Sequence, residues 1–184
     1  MNHKGTINLE TNRLLLRRLT MDDAQEMFDN WASNPNVSKF MTWPAHSSIE
    51  ISKMVINSWV KDYENFTYYQ WGIVIKESNQ LIGTISVVKF KEDIGEVEVG
   101  YCIGEKWWHQ GFTSEALKEV IRFMFIEVGA NRICACHDVN NPNSGKVMLK
   151  CNMKYEGTLR QAGRRGTGEL SDLSYYSILK DEYK

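Results

Sequence analysis

The stretch from Glu96 to Ala116, EVEVGYCIGEKWWHQGFTSEA, holds the residue types best suited to chemistry. Glu96, Val97, Glu98 and Val99 alternate as a strand and lead into Gly100 and Tyr101. A short turn through Gly104 follows, and the segment His109-Gln110-Gly111-Phe112-Thr113-Ser114 opens a strongly amphipathic helix. A strand, a glycine loop and a helix start in succession leave a ring of backbone N–H groups that no carbonyl fills. Such a nest suits an anion and has the dimensions for a pyrophosphate. Glu98, one strand upstream, is a candidate base beside whatever the nest holds. Cradle and carboxylate together suggest a transferase that uses a phosphorylated carrier.

Cys134, Cys136 and His137 form a second cluster to weigh, as metal ligands. On one strand the two cysteines would share a face and His137 would point to the other. No paired CxxC accompanies them, so small buried strand residues are the better reading and no metal is expected. With Cys102 and Cys151 they make four cysteines, expected to be free thiols. At 184 residues the chain fits a single domain, 1–184, large enough to bury its own core. A formal net charge of −1 gives no bulk attraction to nucleic acid or to a membrane surface. No apolar run approaches the roughly 20 residues of a membrane span. The opening MNHKGTINLETNR lacks the apolar core of a signal peptide, so a cytoplasmic location is expected.

The elements that must position these residues follow from pattern. Arg13 to Leu19 reads as a strand. Thr20 caps a helix with Asp23 three residues on, and Asn34-Pro35-Asn36 breaks it after Ser33. A second helix is expected from Ser47 or Ser48 to about Tyr63, with Ile51, Met54, Val55 and Trp59 on one face. Gln70–Lys76, Leu81–Phe90 and Glu96–Ile103 read as a three-strand meander. The long helix after the glycine loop should end at Gly129. Arg132–His137 is then a strand, and Asn141-Pro142-Asn143-Ser144 starts a short helix ending near Asn152. Met153–Gln161 and Leu173–Lys180 are expected as strands around a Gly/Arg-rich loop. With no repeat and no linker, the reading is one α+β domain.

Several of these motifs, in this order, resemble a known family. Thr11-Asn12-Arg13-Leu14 with LLRRLTMDDA, Leu81-Ile82-Gly83, Glu98-Val99-Gly100-Tyr101, Trp108 to Ala116, and Asn141 to Ser144 followed by VMLK and MKYEG carry the likeness. The chain resembles the GNAT-superfamily N-acetyltransferases, in the branch of ribosomal-protein N-terminal (RimJ/RimL-type) enzymes. It departs from the superfamily pattern at three places. Trp108 and Thr113 stand at the ends of the loop pattern where Arg or Gln and Gly or Ala are usual. Met148 stands where another subgroup has a tyrosine acid. Gly163 follows Leu159-Arg160-Gln161-Ala162 where some relatives carry a carboxylate.

The resemblance implies the GNAT fold, a mixed central sheet flanked by helices in which two parallel strands splay apart. Acetyl-CoA would enter between Glu96–Ile103 and Arg132–His137. Backbone at Tyr101, Cys102 and Ile103 would pair with the pantetheine arm as another strand would. N–H groups from His109, Gln110, Gly111, Phe112, Thr113 and Ser114 would hold the pyrophosphate. A backbone N–H near Cys102 or Ile103 would polarise the thioester carbonyl. Glu98 is the first candidate base, against the alternative of a solvated carboxylate paired with Lys or Arg. Glu96 shares its face further from the splay, and His137 is the second choice. Ser144 matches the family position whose hydroxyl approaches the CoA sulfur, against a plain first-turn serine bonded to backbone. Asn141 combines an N-cap with a contact to the CoA arm. Met41, Trp43, Pro44, the second helix and the loop Gly163–Gly168 should surround the acceptor, with Arg160, Arg164 and Arg165 suiting an acidic one. Trp43, Trp59 and Trp71 read first as core. The expected acceptor is a protein N-terminal α-amine of the ribosomal-protein alanine or serine type. A small amine (antibiotic, polyamine or amino acid) and a non-catalytic acyl-CoA-binding module are the rivals. A monomer or a homodimer fits equally.

Overall fold

Leu14 and Leu16, fully buried, alternate with Leu15 and Arg17 and make β2 (Leu14–Arg17) beside the two-residue β1 (Leu9–Glu10). The computed structural model describes residues 1–184. Thr20 caps the next segment as its sequence requires: its N–H donates to Asp23 Oδ2 at 2.7 Å. The expected single helix to Ser33 is instead three short pieces. A 3₁₀ turn (Met21–Asp23), α1 (Ala24–Met27) and a π turn (Phe28–Ala32) follow one another. The Ser33 N–H reaches back to Phe28 O, and the Asn30 amide donates to Leu81 O at 2.6 Å. These bonds widen the last turn and seat Trp31 and Ala32 in the core. Asn34 then caps α2 (Pro35–Ser38) by accepting from the Asn36 N–H.

Helix α3 (Ile49–Asp62) buries Ser52 and Ile56, half-buries Val55 and Trp59, and leaves Met54 exposed. Met54 was expected inside. The face is turned because Ser52 Oγ binds His46 Nδ1 at 2.8 Å, a polar contact that hydrophobic periodicity does not register. Strands β3 (Gln70–Ile75), β4 (Gln80–Lys91) and β5 (Glu96–Ile103) form the expected antiparallel meander. Helix α4 (Phe112–Phe123) packs Ala116, Leu117, Val120 and Ile121 on the sheet and continues through a π turn to Gly129, whose φ of 80° ends it. Strand β6 (Arg132–Asp138) lies parallel to β5, followed by α5 (Pro142–Lys150). Strands β7 (Lys154–Arg164) and β8 (Leu170–Leu179) run further into the expected loop than their sequence suggests, so Gly163 lies in a strand. The sheet order is β1-β2-β3-β4-β5-β6-β8-β7, with β8 antiparallel to β6. No helix is long and apolar enough to cross a membrane.

One feature of this sheet matters most for function. β5 and β6 pair only at Glu96–Arg132, Val97–Ile133 and Glu98–Cys134. Past Glu98 each strand keeps its outer neighbour, β4 or β8, and the two diverge. The Gly104 N–H donates to Ile82 O, and antiparallel alternation from that bond turns Gly100 and Cys102 toward β4. The N–H and C=O groups of Tyr101 and Ile103 therefore face the gap. This corrects the expectation at Cys102, whose N–H belongs to the sheet.

β4 and β5 are also held in close approach. A Cβ at Gly83 would lie 2.2 Å from Cys102 O and 2.8 Å from Ile103 Cα. The obstruction is backbone and cannot rotate away. Overpacking costs about 1–3 kcal/mol and a chain of this size shifts about 2–4 °C per kcal/mol, so Gly83→Ala is expected to lower Tm by roughly 2–12 °C. Thermal unfolding followed by circular dichroism checks this; an unchanged Tm would mean that β5 yields freely at this point.

Candidate active site

The loop before α4 is built for an anion. His109 (φ 62°) and Gly111 (φ 83°) are left-handed on either side of Gln110, a conformational alternation that turns successive N–H groups inward. Gly111 is the N-cap of α4, and no side chain caps the helix, so its first N–H groups stay open. Beneath the loop, Arg13 acts as a brace. Its Nε and main-chain N–H bind Glu115 at 2.6 and 2.9 Å, its NH1 binds Gln110 O at 3.1 Å, and its guanidinium lies 4.3 Å over the Phe112 ring. Thr11 Oγ1 donates to the same Glu115 carboxylate at 2.6 Å. Burial opposes a charge on Glu115, but Thr11 and Arg13 overcome it and hold the carboxyl below its usual range. The Thr11-Asn12-Arg13 motif thus supports the loop from behind and neutralises an acid in the first turn of α4.

A groove of about 300 Å³ runs from this loop into the gap between β5 and β6. Tyr101, Cys102, Ile103, His109, Gly111, Thr113, Ser114, Asn141 and Ser144 all line it. Gln110 and Phe112, also predicted, do not. The Gln110 side chain turns back to Lys106 O, and Phe112 is buried beneath Arg13. Lys146 and Lys150, four residues apart on α5, line the groove as well and bring positive charge to it. The i,i+4 spacing was visible in the sequence and could have found them.

Ser144 and Tyr101 couple α5 to β5 across the gap. Ser144 Oγ donates to the Tyr101 hydroxyl at 3.1 Å, and that hydroxyl donates to Ser144 O at 2.9 Å. The serine is therefore not a first-turn residue bonded only to backbone. Burial pushes the Tyr101 hydroxyl well above the ordinary phenol range, so it stays protonated. Asn141 occupies the N-cap of α5, yet its side chain makes no capping bond and is left to the groove. The Ile103 carbonyl is taken by Trp108 Nε1 at 2.9 Å, which gives Trp108 its place at the loop.

The two strand carboxylates differ sharply. Glu96 is buried and held by Lys91 at 2.6 Å and Arg132 at 2.7 Å; burial opposes its ionisation, but the two cations win and keep its pKa low. Glu98 has no Lys or Arg partner. It is the last paired residue before the strands part, half-buried, and accepts from Cys136 Sγ at 3.6 Å. Burial, and then the Glu98 charge, push the Cys136 thiol up to about 11, so it remains a neutral donor. The ion-paired structural role expected as the alternative for Glu98 belongs to Glu96. His137 lies on the opposite face: its Nδ1 donates to Asp138 O at 2.7 Å, its ring stacks near Tyr176, and α5 approaches its Nε2 closely at Gly145.

On the Glu98 face a second cavity, of about 410 Å³, meets the gap at Gly100 and Cys136. Met41, Trp43, α3 residues Val55 and Trp59, and Gly163 to Arg165 line it, as expected. Trp31 lines it too, whereas Trp71 is fully buried in the core. The Gly166 N–H donates to Met41 O at 2.8 Å, and a Cβ at Gly166 would fall 2.2 Å from the Trp43 carbonyl carbon, so the β7–β8 turn lies directly on segment 41–44. Arg165 is not free for an acidic acceptor. It binds Asp138 at 2.7 and 3.1 Å and Glu169 at 3.0 Å. Arg164 NH1 is on Gly168 O, and Arg160 is exposed outside the cavity.

If the nest takes the pyrophosphate that the sequence resemblance implies, CoA at 100 times its Kd is expected to add about 2.7 kcal/mol to stability, a Tm rise of roughly 5–10 °C. Gly111→Val should remove most of that rise, because a β-branched residue is strained at a φ of 83° and its Cβ would sit against Arg13, so the loop would lose the shape that makes the nest. Arg13→Ala should reduce it as well, and Glu115→Gln in the Arg13→Ala background should restore part by removing the unpaired acid. Differential scanning fluorimetry with CoA and acetyl-CoA reads all three; equal shifts in wild type and Gly111→Val would contradict the nest.

Comparison with known proteins identifies the family and the fold. Residues 13–154 match the family described as Acetyltransferase (GNAT) domain. An uncharacterised N-acetyltransferase, YoaA of Bacillus subtilis, is 33% identical over 172 residues, covering 94% of this chain and 96% of that protein. The [ribosomal protein uS5]-alanine N-acetyltransferase of Escherichia coli is 26% identical over 160 residues, covering 82% and 80%. Among solved structures, the microcin C7 self-immunity acetyltransferase MccE, in complex with acetyl-CoA and AMP, superposes with a TM-score of 0.82 at 23% identity, covering 92% of this chain and 93% of that one. The chain belongs to the GNAT family, has relatives named as ribosomal-protein acetyltransferases, and is an acetyl-transferring enzyme.

Proposed function

We propose that the chain acetylates the α-amine of a protein N-terminus by direct attack on acetyl-CoA in a ternary complex. The single observation that carries this reading is the break in the β5–β6 ladder after Glu98, with an anion nest at one end and a separate apolar cavity at the other. Carrier and acceptor then approach the same gap from opposite sides. The relative named as acting on an alanine of uS5 supports the choice of an α-amine. One observation favours a second acceptor class, a small free amine: the β7–β8 turn closes onto segment 41–44 and limits the room for a long chain.

The pantetheine amides pair with the free main-chain groups of Tyr101, and the N–H of Ile103, whose carbonyl is held by Trp108, polarises the thioester carbonyl. The amine nitrogen attacks the carbonyl carbon, and the C–S bond breaks. Glu98 does not line the cavity but is the last residue of the paired ladder, two before the lining residue Gly100, and it takes the ammonium proton through a water. The leaving thiolate takes a proton from Ser144 Oγ, which turns from its bond to the Tyr101 hydroxyl to reach the sulfur and regains a proton from solvent in the groove. Thiol release with a panel of N-terminal peptides and small amines, products identified by mass spectrometry, tests the acceptor; acetylation of small amines alone would select the second reading.

Ser144→Ala is expected to lower kcat about tenfold or more with little change in acetyl-CoA affinity, because a proton donor to the leaving thiolate acts in the transition state. Steady-state kinetics beside a CoA titration separates the two quantities, and unchanged turnover would return Ser144 to a structural role.

Glu98→Gln should slow the reaction roughly 10²-fold at pH 6–7, within the range of general-base assistance. An α-amine has a pKa of about 8, so the deficit should shrink above that pH as free amine accumulates. Identical pH–rate profiles for both proteins would remove Glu98 from the mechanism.

A further inference from the structure

The floor of the acceptor cavity carries polar side chains that the transfer step does not use. Gln70, Thr84 and Ser86 all line it. Gln70 stands opposite Ser86 across β3 and β4, Ser86 opposite Gly100 across β4 and β5, and Thr84 opposite Cys102. They form a short row across the sheet that points at the gap where the acetyl group arrives. Gln70 is 6% exposed and Thr84 9%. The main chain of Gln70 is fully committed: its N–H donates to Thr6 Oγ1 at 3.0 Å and its carbonyl accepts from the Tyr63 hydroxyl at 2.9 Å. Its side-chain amide makes no hydrogen bond to the protein, nor do the Thr84 and Ser86 hydroxyls. These side-chain groups are open to the cavity and free of protein partners, so a ligand that displaces the water there can bond to them.

The surroundings define that ligand. Met27, Trp31, Phe40, Met41, Trp43 and Trp59 make apolar walls. Of the charged groups around the cavity, Asp138 and Arg165 neutralise each other, while Arg164 is exposed, with NH1 on Gly168 O and no acidic partner. His46 is bonded to Ser52, and its burial favours the neutral ring. Next to the Gln70–Thr84–Ser86 row itself the lining holds no free cation, and Arg164 belongs to the exposed β7–β8 end. Strands lie about 4.8 Å apart, which puts Ser86 roughly 5 Å and Gln70 roughly 10 Å from β5. The first two amide units of a peptide fall within that span of its α-amine, at about 3.8 Å per residue.

We propose that the Gln70–Thr84–Ser86 row is an acceptor subsite for a neutral amide group carried on an apolar or aromatic body. The enzyme then selects amines whose neighbouring carboxyl is blocked as an amide, and discriminates against free amino acids. The inference rests on the proposed attack of an amine at the gap.

The test compares L-phenylalaninamide, L-phenylalanine and 2-phenylethylamine as acceptors. The amide should have kcat/KM about tenfold or more above both others, the worth of one or two neutral hydrogen bonds. Gln70→Leu should lower the amide to the level of 2-phenylethylamine while leaving 2-phenylethylamine turnover and CoA affinity unchanged. Thr84→Val and Ser86→Ala probe the same row should Gln70→Leu fail to fold. A preference that survives in these variants, or equal use of free phenylalanine, overturns the subsite. Turnover of none of the three while acetyl-CoA still binds overturns the amine-acceptor reading instead. The subsite is then judged by whether L-phenylalaninamide raises the Tm of the wild-type CoA complex but not that of Gln70→Leu; no rise in wild type overturns it too.

Discussion

The end of the parallel ladder at Glu98–Cys134 is the constraint on which the rest depends. A sheet normally satisfies every main-chain N–H and C=O, and leaving them unpaired in an interior is costly. Here β5 and β6 part company, and each remains anchored on its far side, β5 by β4 and β6 by β8. The gap therefore persists without the strands fraying. Its open main-chain groups, the N–H and C=O of Tyr101 and the N–H of Ile103, ask for a third extended chain, which the pantetheine arm of a CoA ester resembles. The Tyr101–Ser144 pair spans the gap from β5 to α5, and the nest before α4 opens at its end.

The same break divides the charges. Glu96 lies inside the paired region and is fixed by Lys91 and Arg132, a network that Glu156 extends from β7. Glu98, one pleat closer to the gap, is left without a cation. Two carboxylates two residues apart on one face thus differ in their partners, and position relative to the splay leaves Glu98 free for the proton transfer proposed for it. On the opposite side of the cavity Arg165 is consumed by Asp138 and Glu169, which fixes the β7–β8 turn against segment 41–44. Burial opposes ionisation of Asp138, but Arg165 and Asn140 hold its pKa low. The clamp is therefore present at neutral pH and is lost only as the pH falls through that depressed value.

Much of this was legible in the sequence. Alternation located β5, the glycine and helix start located the anion nest, and Asn141-Pro142 located α5. The motif order pointed to the fold and so to the splay. What escaped had physical reasons. The α1 segment breaks into 3₁₀, α and π turns because Asn30 and Ser33 bond to distant or preceding carbonyls, which local propensity does not encode. The inward face of α3 is set by a Ser52–His46 bond and not by Met54. Arg13 and Glu115 are 102 residues apart, so their brace under the nest exists only in the fold. The commitment of Arg165 to Asp138, and the freedom of Gln70, Thr84 and Ser86, likewise depend on which partners three dimensions supply.

Amide hydrogen exchange with and without CoA tests the central claim most directly, since it reads the main-chain groups that the splay leaves open. The account predicts slowed exchange at Tyr101, Ile103 and the segment Gln110–Ser114 when CoA is bound, with Gly100 and Cys102 already protected in the free protein by β4. Unchanged exchange at Tyr101 and Ile103 in a CoA complex known to have formed would contradict it, because the carrier would then lie elsewhere than in the gap between β5 and β6.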